Sequence, residues 1–152
     1  MSKVWVYIKS IAIPVIIGAV VGFITMRFMD YGELNQPPLA PPGFIFPIVW
    51  TILYALMGIS YAILKTNGLA DDEVDSIYSL QLVVNALWSI FFFVLKWRLF
   101  AFFWIILLAI LVVKMIRIFY ERYRLAGYLQ IPYLAWLVFA AYLNFGVYVL
   151  NR

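Results

Sequence analysis

Cysteine and histidine are both missing from this chain of 152 residues. Without cysteine there is no disulfide, iron–sulfur cluster, thiolate nucleophile or Cys-type zinc site. Without histidine there is no Ser–His–Asp triad, histidine metal site or His-ligated haem. Charge is scarce as well: Asp, Glu, Lys and Arg make up 12% of the residues, against about 25% in a soluble domain. The net charge of +4 comes from 11 basic and 7 acidic residues. That is too sparse for a nucleic-acid face, and basic residues at the ends of membrane spans account for it. What abounds is apolar: 67% hydrophobic and 20% aromatic residues, with a mean hydropathy of +1.01. A water-soluble domain of this size must present a polar exterior, which this composition cannot supply. The expected class is an all-α integral membrane protein.

A spanning helix needs roughly 20 apolar residues at about 1.5 Å each. Five stretches qualify, at about 4–28, 44–64, 76–95, 99–120 and 126–150. The first loop, 29–43, contains Pro37, Pro38, Pro41 and Pro42, whose lost donors and fixed φ exclude regular helix. The second linker carries Asn67-Gly68 and the acids Asp71, Asp72, Glu73 and Asp75, which suit a turn and a helix N-terminus. The last two linkers are short, so the helices they join are antiparallel neighbours. No repeat or second domain is visible, and the N-terminal stretch reads as retained helix rather than signal peptide. The expectation is one five-transmembrane-helix bundle spanning residues 1–152. Lys3, Lys9, Lys65, Lys114, Arg117, Arg122 and Arg124 fall on the N-terminal side, and Arg27, Lys96, Arg98 and Arg152 on the other. That bias favours a cytoplasmic N-terminus, with the proline-rich loop on the far side.

Aromatic residues near helix ends, such as Trp5, Tyr7, Trp97, Tyr120, Tyr123 and Tyr128, read as interfacial belts. Trp50, Trp88 and Trp136 do not. Counted from the proline-loop side, Trp50 lies about 9 Å deep, Trp88 about 10 Å and Asn85 about 15 Å. Phe139 lies about 16 Å deep and Trp136 about 20 Å. At such depths an indole N–H or an amide has no water, so these groups face the bundle interior or a ligand. Helical spacing puts Gln81, Asn85, Trp88 and Phe92 on one face, Pro47, Trp50, Tyr54 and Tyr61 on another, and Trp136, Ala140 and Asn144 on a third. Polar-aromatic glue between helices and a ligand cavity both fit this pattern. Gly18-x-x-x-Gly22 offers a small-residue face for packing within the bundle or between two copies. Leu143…Tyr148…Arg152 matches a loose sterol-contact pattern that is common by chance.

Three segments carry a resemblance. Pro41-Pro42-Gly43-Phe44-Ile45-Phe46-Pro47-Ile48-Val49-Trp50-Thr51-Ile52-Leu53-Tyr54 resembles the signature of the TspO/MBR family. Its members are known as translocator proteins, tryptophan-rich sensory proteins or, in animals, peripheral-type benzodiazepine receptors. Gln81–Ser89 followed by Phe91-Phe92 is similar to the family's third helix. Pro132-Tyr133-Leu134-Ala135-Trp136, with Phe139-Ala140 and Leu143-Asn144, is similar to its fifth. The resemblance implies a five-helix bundle, commonly dimeric, with a cavity opening toward the first loop. It implies a porphyrin such as protoporphyrin IX as ligand, and in animal members cholesterol and drug-like molecules. Carried over by motif, the cavity residues are Trp50, Asn85, Trp88, Trp136, Phe139 and Ala140, with Phe46, Tyr54 and Pro42 near the mouth. In the first loop Tyr31, Leu34 and Pro37 match the family pattern, whereas Asp30, Gln36 and Leu39 replace a Trp, a basic residue and a second Trp. A basic residue there would pair with porphyrin propionates; Arg27 and Arg98 are the substitutes at hand.

The leading expectation is therefore a membrane-embedded binding protein or sensor for a flat apolar tetrapyrrole or a sterol-like molecule, with no tightly bound cofactor, no metal and no nucleic-acid partner. Indole and phenol rings stack on a macrocycle, and Asn85 offers a donor and an acceptor. Metal-free porphyrin suits a chain without His or Cys better than coordinated haem. The resemblance also raises light-dependent porphyrin breakdown, with Trp50 and Trp136 as the oxidisable residues, the ligand and light supplying the chemistry. Transport of porphyrin or sterol is a third reading, against which stand the lack of a buried acid for coupling and of an inverted repeat. A helper subunit of a membrane complex is the fourth.

Overall fold

We describe residues 2–28 and 31–152 of the computed structural model, and only the backbone of Tyr31. Among the described residues all regular structure is helical. Helix α1 spans Lys3–Met26, and the Ser2 hydroxyl caps it by accepting from the Trp5 N–H at 3.2 Å. A single 3₁₀ turn, Tyr31–Glu33, interrupts the first loop. Helix α2, Ile45–Thr66, starts directly after the double proline, where Ile45 N–H donates to the Pro42 carbonyl at 3.1 Å.

Helix α3 spans Asp72–Ser89, starting four residues before the expected Ser76. Its cap explains the difference: the Asp71 carboxylate accepts from the Val74 N–H at 3.0 Å, and Asp72, Glu73 and Asp75 occupy the first turn. The acids belong to the helix because its N-terminus carries positive partial charge. A π-helical segment, Ile90–Val94, extends α3, with Leu95 N–H donating to the Ile90 carbonyl at 3.0 Å. Lys96, at φ 57°, then reverses the chain into α4, Arg98–Arg122.

The expected fifth helix is two: α5, Arg124–Tyr128, and α6, Ile131–Asn151. Pro132 lacks the N–H that would bond four residues back, and its ring crowds that carbonyl; here the helix breaks and restarts with Pro132 in its first turn, whereas α1 runs on through Pro14. The five spans, counting α3 with its π segment and α5 with α6, have mean hydropathies of 1.7 to 2.8.

Helix α1 lies along α2, while α4 packs against α3, α5 and α6. Gly58 makes the first of these contacts close: a Cβ there would lie 2.9 Å from the Ile11 nitrogen on α1. Met57, Leu64, Val74, Ile105, Leu108 and Phe119 form the core. The outer faces are apolar too: Phe103, Ile110 and Val138 are each more than 60% exposed. Water would penalise such a surface, and hydrocarbon does not. The chain is a multi-pass integral membrane protein with a five-helix bundle. At the end holding the α2–α3 linker, Arg122 bonds Asp71 at 3.1 Å and Glu73 at 2.8 Å, joining α4 to α3. At the other end the first loop is fastened to α6. The Asn35 backbone N–H donates to Asn151 Oδ1 at 2.9 Å, Asn151 Nδ2 donates to the Asn35 carbonyl at 2.7 Å, and Tyr142 donates to the Pro38 carbonyl at 2.6 Å.

Candidate functional site

Four helices enclose a cavity of about 580 Å³, inside the roughly 300–1,000 Å³ range of small-molecule sites. Helix α2 contributes Phe46, Pro47, Trp50, Thr51 and Tyr54, and α6 contributes Trp136, Ala140, Leu143 and Asn144. From α3 and its π segment come Asn85, Trp88, Ser89, Phe92 and Phe93. The fourth wall is α1, from Val15 to Met26, including both Gly18 and Gly22. Among the described residues no charged one lines the cavity.

The rings are held in fixed relation. Trp50 stacks on Tyr54 at 5.5 Å and meets Tyr133 edge-on at 6.2 Å. Phe46 meets Trp136 edge-on at 5.9 Å, and Trp88 stacks on Phe92 at 5.2 Å. Beyond Phe92, the Arg98 guanidinium lies 5.2 Å from the ring centroid.

A polar chain crosses the bundle beside these rings. Tyr54 Oη donates to Asn85 Oδ1 at 2.6 Å, Asn85 Nδ2 donates to Tyr133 Oη at 2.6 Å, and Tyr133 Oη donates to Gln81 Oε1 at 2.8 Å. It links α2, α3 and α6 without a charge, as a water-free interior requires. A second link runs from Trp88 Nε1 to Asn144 Oδ1 at 3.0 Å and from Asn144 Nδ2 to the Arg98 carbonyl at 2.8 Å. Asn85 and Trp88 thus spend these groups on protein partners, and Trp88 offers its ring face. Trp136 differs, because its Nε1–H is buried and has no hydrogen-bond partner among the described residues. An orphaned buried donor costs about 1–3 kcal/mol.

Seven of the residues proposed from sequence meet at the cavity: Phe46, Trp50, Tyr54, Asn85, Trp88, Trp136 and Ala140. Phe139 and Pro42 do not line it. Phe139 packs behind the wall, its ring 5.4 Å from Trp136 and 6.2 Å from Tyr142, and Pro42 is exposed, its carbonyl used in the first turn of α2. The Tyr31 side chain and all of Asp30 lie outside the described residues. Tyr61, on the same sequence stripe as Trp50, instead bonds Asp75 at 2.6 Å at the far end of the bundle.

Sequence reasoning missed the α1 wall, whose only signal was the glycine pair read as helix packing. Both uses coexist. A Cβ at Gly18 would overlap the Tyr54 ring, whereas one at Gly22 would meet nothing within 4 Å. Asn144 was visible as part of the α6 stripe but carried no sign of its bond to Trp88. Among the described residues no group of three or more Asp, Glu, His or Cys is placed to hold a metal.

The fold and site together define a class: a polytopic helical membrane protein with a largely apolar, tryptophan-walled cavity between its helices. The chain belongs to the TspO/MBR family, whose profile matches residues 10–150. It is 37% identical over 147 residues to the tryptophan-rich protein TspO of Archaeoglobus fulgidus, covering 95% of each chain. It is 33% identical over 126 residues to protein CrtK of Rhodobacter capsulatus, covering 80% of this chain and 78% of that one. With the translocator protein of Ovis aries it shares 33% identity over 129 residues, covering 82% and 76%.

Proposed function

We propose that this protein binds a flat, conjugated, largely apolar molecule of the porphyrin type within the membrane and acts as a receptor or sensor for it. The observation that carries this reading is the cavity wall itself. Three tryptophans from three helices reach one space that no charged side chain lines among the described residues, and the buried Trp136 indole N–H finds no acceptor among them. Stacked rings favour a planar π-system over a flexible chain. With no cation among the described lining residues, recognition inside the cavity falls to shape and stacking, and ligand carboxylates would remain at the water-facing edge. No metal ligation is required by this arrangement.

The test is a dark titration of detergent-purified protein with protoporphyrin IX, followed by tryptophan fluorescence. Saturable quenching that weakens at least tenfold in Trp50→Phe/Trp136→Phe, with the melting temperature retained, supports the cavity. Unchanged quenching in that variant removes it. A second reading, light-dependent oxidation of the bound porphyrin, is favoured by the presence of Trp50 and Trp136 in one wall, where an excited ligand would find oxidisable indoles. Absorbance loss under light that disappears in the same variant would support it, and loss at equal rate in lipid alone would end it. We further propose a cytoplasmic N-terminus, from the basic-residue bias, and pairing of two copies, as the resemblance implies. Cysteine labelling from either side and cross-linking in nanodiscs check these two points.

A further inference from the structure

At the end of the bundle that holds the α2–α3 linker, Arg122 gathers acids: Asp71 at 3.1 Å, Glu73 at 2.8 Å and Glu121 at 3.9 Å. Other cations of that end are not so placed. Lys114 and Arg117 lie on α4, one turn apart and so on one face, and Arg124 opens α5. All three are exposed and, among the described residues, none has an acid within 4 Å. Helix α5 packs tightly on the end of α4 because Gly127 permits it: a Cβ there would lie 2.6 Å from Tyr120 Cβ and 2.8 Å from Tyr120 Cα. That contact brings the Tyr128 ring edge-on to Tyr120 at 5.5 Å, and Tyr128 stands one turn from Arg124. The result is a strip of Lys114, Arg117, Tyr120, Tyr128 and Arg124 that takes no part in the wall of the aromatic cavity.

Depth distinguishes this strip from ordinary surface charge. Helix α4 has 25 residues and its span a mean hydropathy of 2.8, so it is about 37 Å long against about 30 Å of hydrocarbon. Lys114 and Arg117 precede its last residue, Arg122, by about 12 Å and 8 Å along the axis. An even overhang of about 4 Å at each end leaves both α-carbons within the hydrocarbon. One turn back, Ile110 and Val113 are 62% and 41% exposed, which marks this face of α4 as turned to lipid. A cation there bends toward the interface, and the bilayer thins to bring headgroups to it.

We propose that the strip binds an anionic membrane phospholipid through its phosphate, independently of whatever occupies the aromatic cavity. The guanidinium groups of Arg117 and Arg124 match the oxyanion with paired donors, and the Lys114 ammonium adds a point charge. Tyr120 and Tyr128 lie at the level of the glycerol, where aromatic side chains are favoured. A dissolved phosphate has no path to Lys114 through hydrocarbon. A sterol has only a neutral hydroxyl to offer. A second copy docked by this face would bring three cations and a single adjoining acid, Glu121, from each chain.

Lys114 and Arg117 are the positions to change, because both are exposed and glutamine keeps their helix propensity. The experiment is native mass spectrometry of the protein in detergent, titrated with phosphatidylglycerol and with phosphatidylcholine of identical acyl chains. Selective retention of phosphatidylglycerol is expected. It should fall about fivefold for each charge removed in Lys114→Gln and Arg117→Gln, and persist in the charge-preserving pair Lys114→Arg/Arg117→Lys. It should also persist in Lys3→Gln/Lys9→Gln, which removes two cations from α1 instead. Equal retention of the two lipids, or retention unchanged in Lys114→Gln/Arg117→Gln, overturns the proposal. An equal loss in the α1 pair overturns it too, since the preference would then follow overall charge. Inorganic phosphate that expels the lipid at millimolar concentration overturns the lipid source and leaves a soluble-anion site. A dimer altered by Lys114→Gln/Arg117→Gln, with no lipid preference in the wild type, overturns it in favour of a second copy. Protoporphyrin quenching should be unaltered in the same variants, so this test does not depend on the cavity's ligand.

Discussion

Tyr54 and Asn85 face each other across the α2–α3 boundary, and the tyrosine hydroxyl donates to the amide oxygen at 2.6 Å. The same amide reaches Tyr133 at 2.6 Å, so Asn85 is the joint of a chain that ties three helices together. Tyr54→Phe removes one bond and should cost about 1 kcal/mol, in line with interhelical bonds in membranes. Asn85→Ala removes both bonds and leaves a void, and should cost about 2–3 kcal/mol. Thermal unfolding in detergent, read by circular dichroism, checks the order. Equal effects would mean that the network contributes little.

The two glycines of α1 should respond in opposite ways. Gly18→Ala forces its new methyl into the Tyr54 ring and should lower both stability and ligand affinity. Gly22→Ala meets open cavity and should gain up to about 1 kcal/mol from helix propensity. Gly22→Phe should fill the cavity, abolishing porphyrin quenching while the melting temperature holds. Paired melting curves and titrations separate these outcomes.

Gly58 should be the least tolerant position of the α1–α2 contact. A methyl there meets the α1 backbone, 2.5 Å from Ile11 Cα, and backbone cannot rotate away as a side chain can. Gly58→Ala should cost about 3 kcal/mol, at the upper end of overpacking effects. It should also expose α1 to limited proteolysis, which is the measurement.

The Asp71 cap predicts a pH dependence. The hydrogen bond from the Val74 N–H, aided by the Arg122 guanidinium, holds the Asp71 carboxyl below its usual range. Its folded form therefore favours the ionised group. That stabilisation is complete above the ordinary aspartate value of about 3.9 and is lost as pH falls through the lowered one. Asp71→Asn keeps a capping oxygen but cannot ionise, so the difference in stability between wild type and variant should shrink on acidification below about pH 4. Chemical denaturation in detergent across that range measures it.

Much of this was legible because lipid makes the reading simple. Long apolar runs and proline punctuation place the spans to within a few residues, since a membrane tolerates little else. The aromatic residues of α2, α3 and α6 were also legible, because an indole deep in hydrocarbon needs an explanation. Three features were not. The acids from Asp71 to Asp75 look like a linker by hydropathy but act as a cap and first turn, a local electrostatic effect that an apolar count ignores. The π segment at Ile90–Val94 has no composition of its own, and it is needed to bring Phe92 and Phe93 to one cavity. Helix α1 contributes a wall of Gly18, Ala19 and Gly22 with Phe23, Thr25 and Met26, a mixture that an ordinary span also carries.

The first loop meets α6 through the hydrogen bonds between Asn35 and Asn151, the Asn35 amide on the Leu150 carbonyl and the Tyr142 hydroxyl on the Pro38 carbonyl. Pro37 sits beside them against Gly146, where a Cβ would come within 2.6 Å. In mechanical terms this is a buckle rather than a weld. The amide pair is exposed, so water can replace each lost bond at a net cost of about 0.5–1.5 kcal/mol, whereas separating packed helices would expose a core to disorder. The first loop can therefore lift from α6 like an unfastened strap while the helices behind it stay in register.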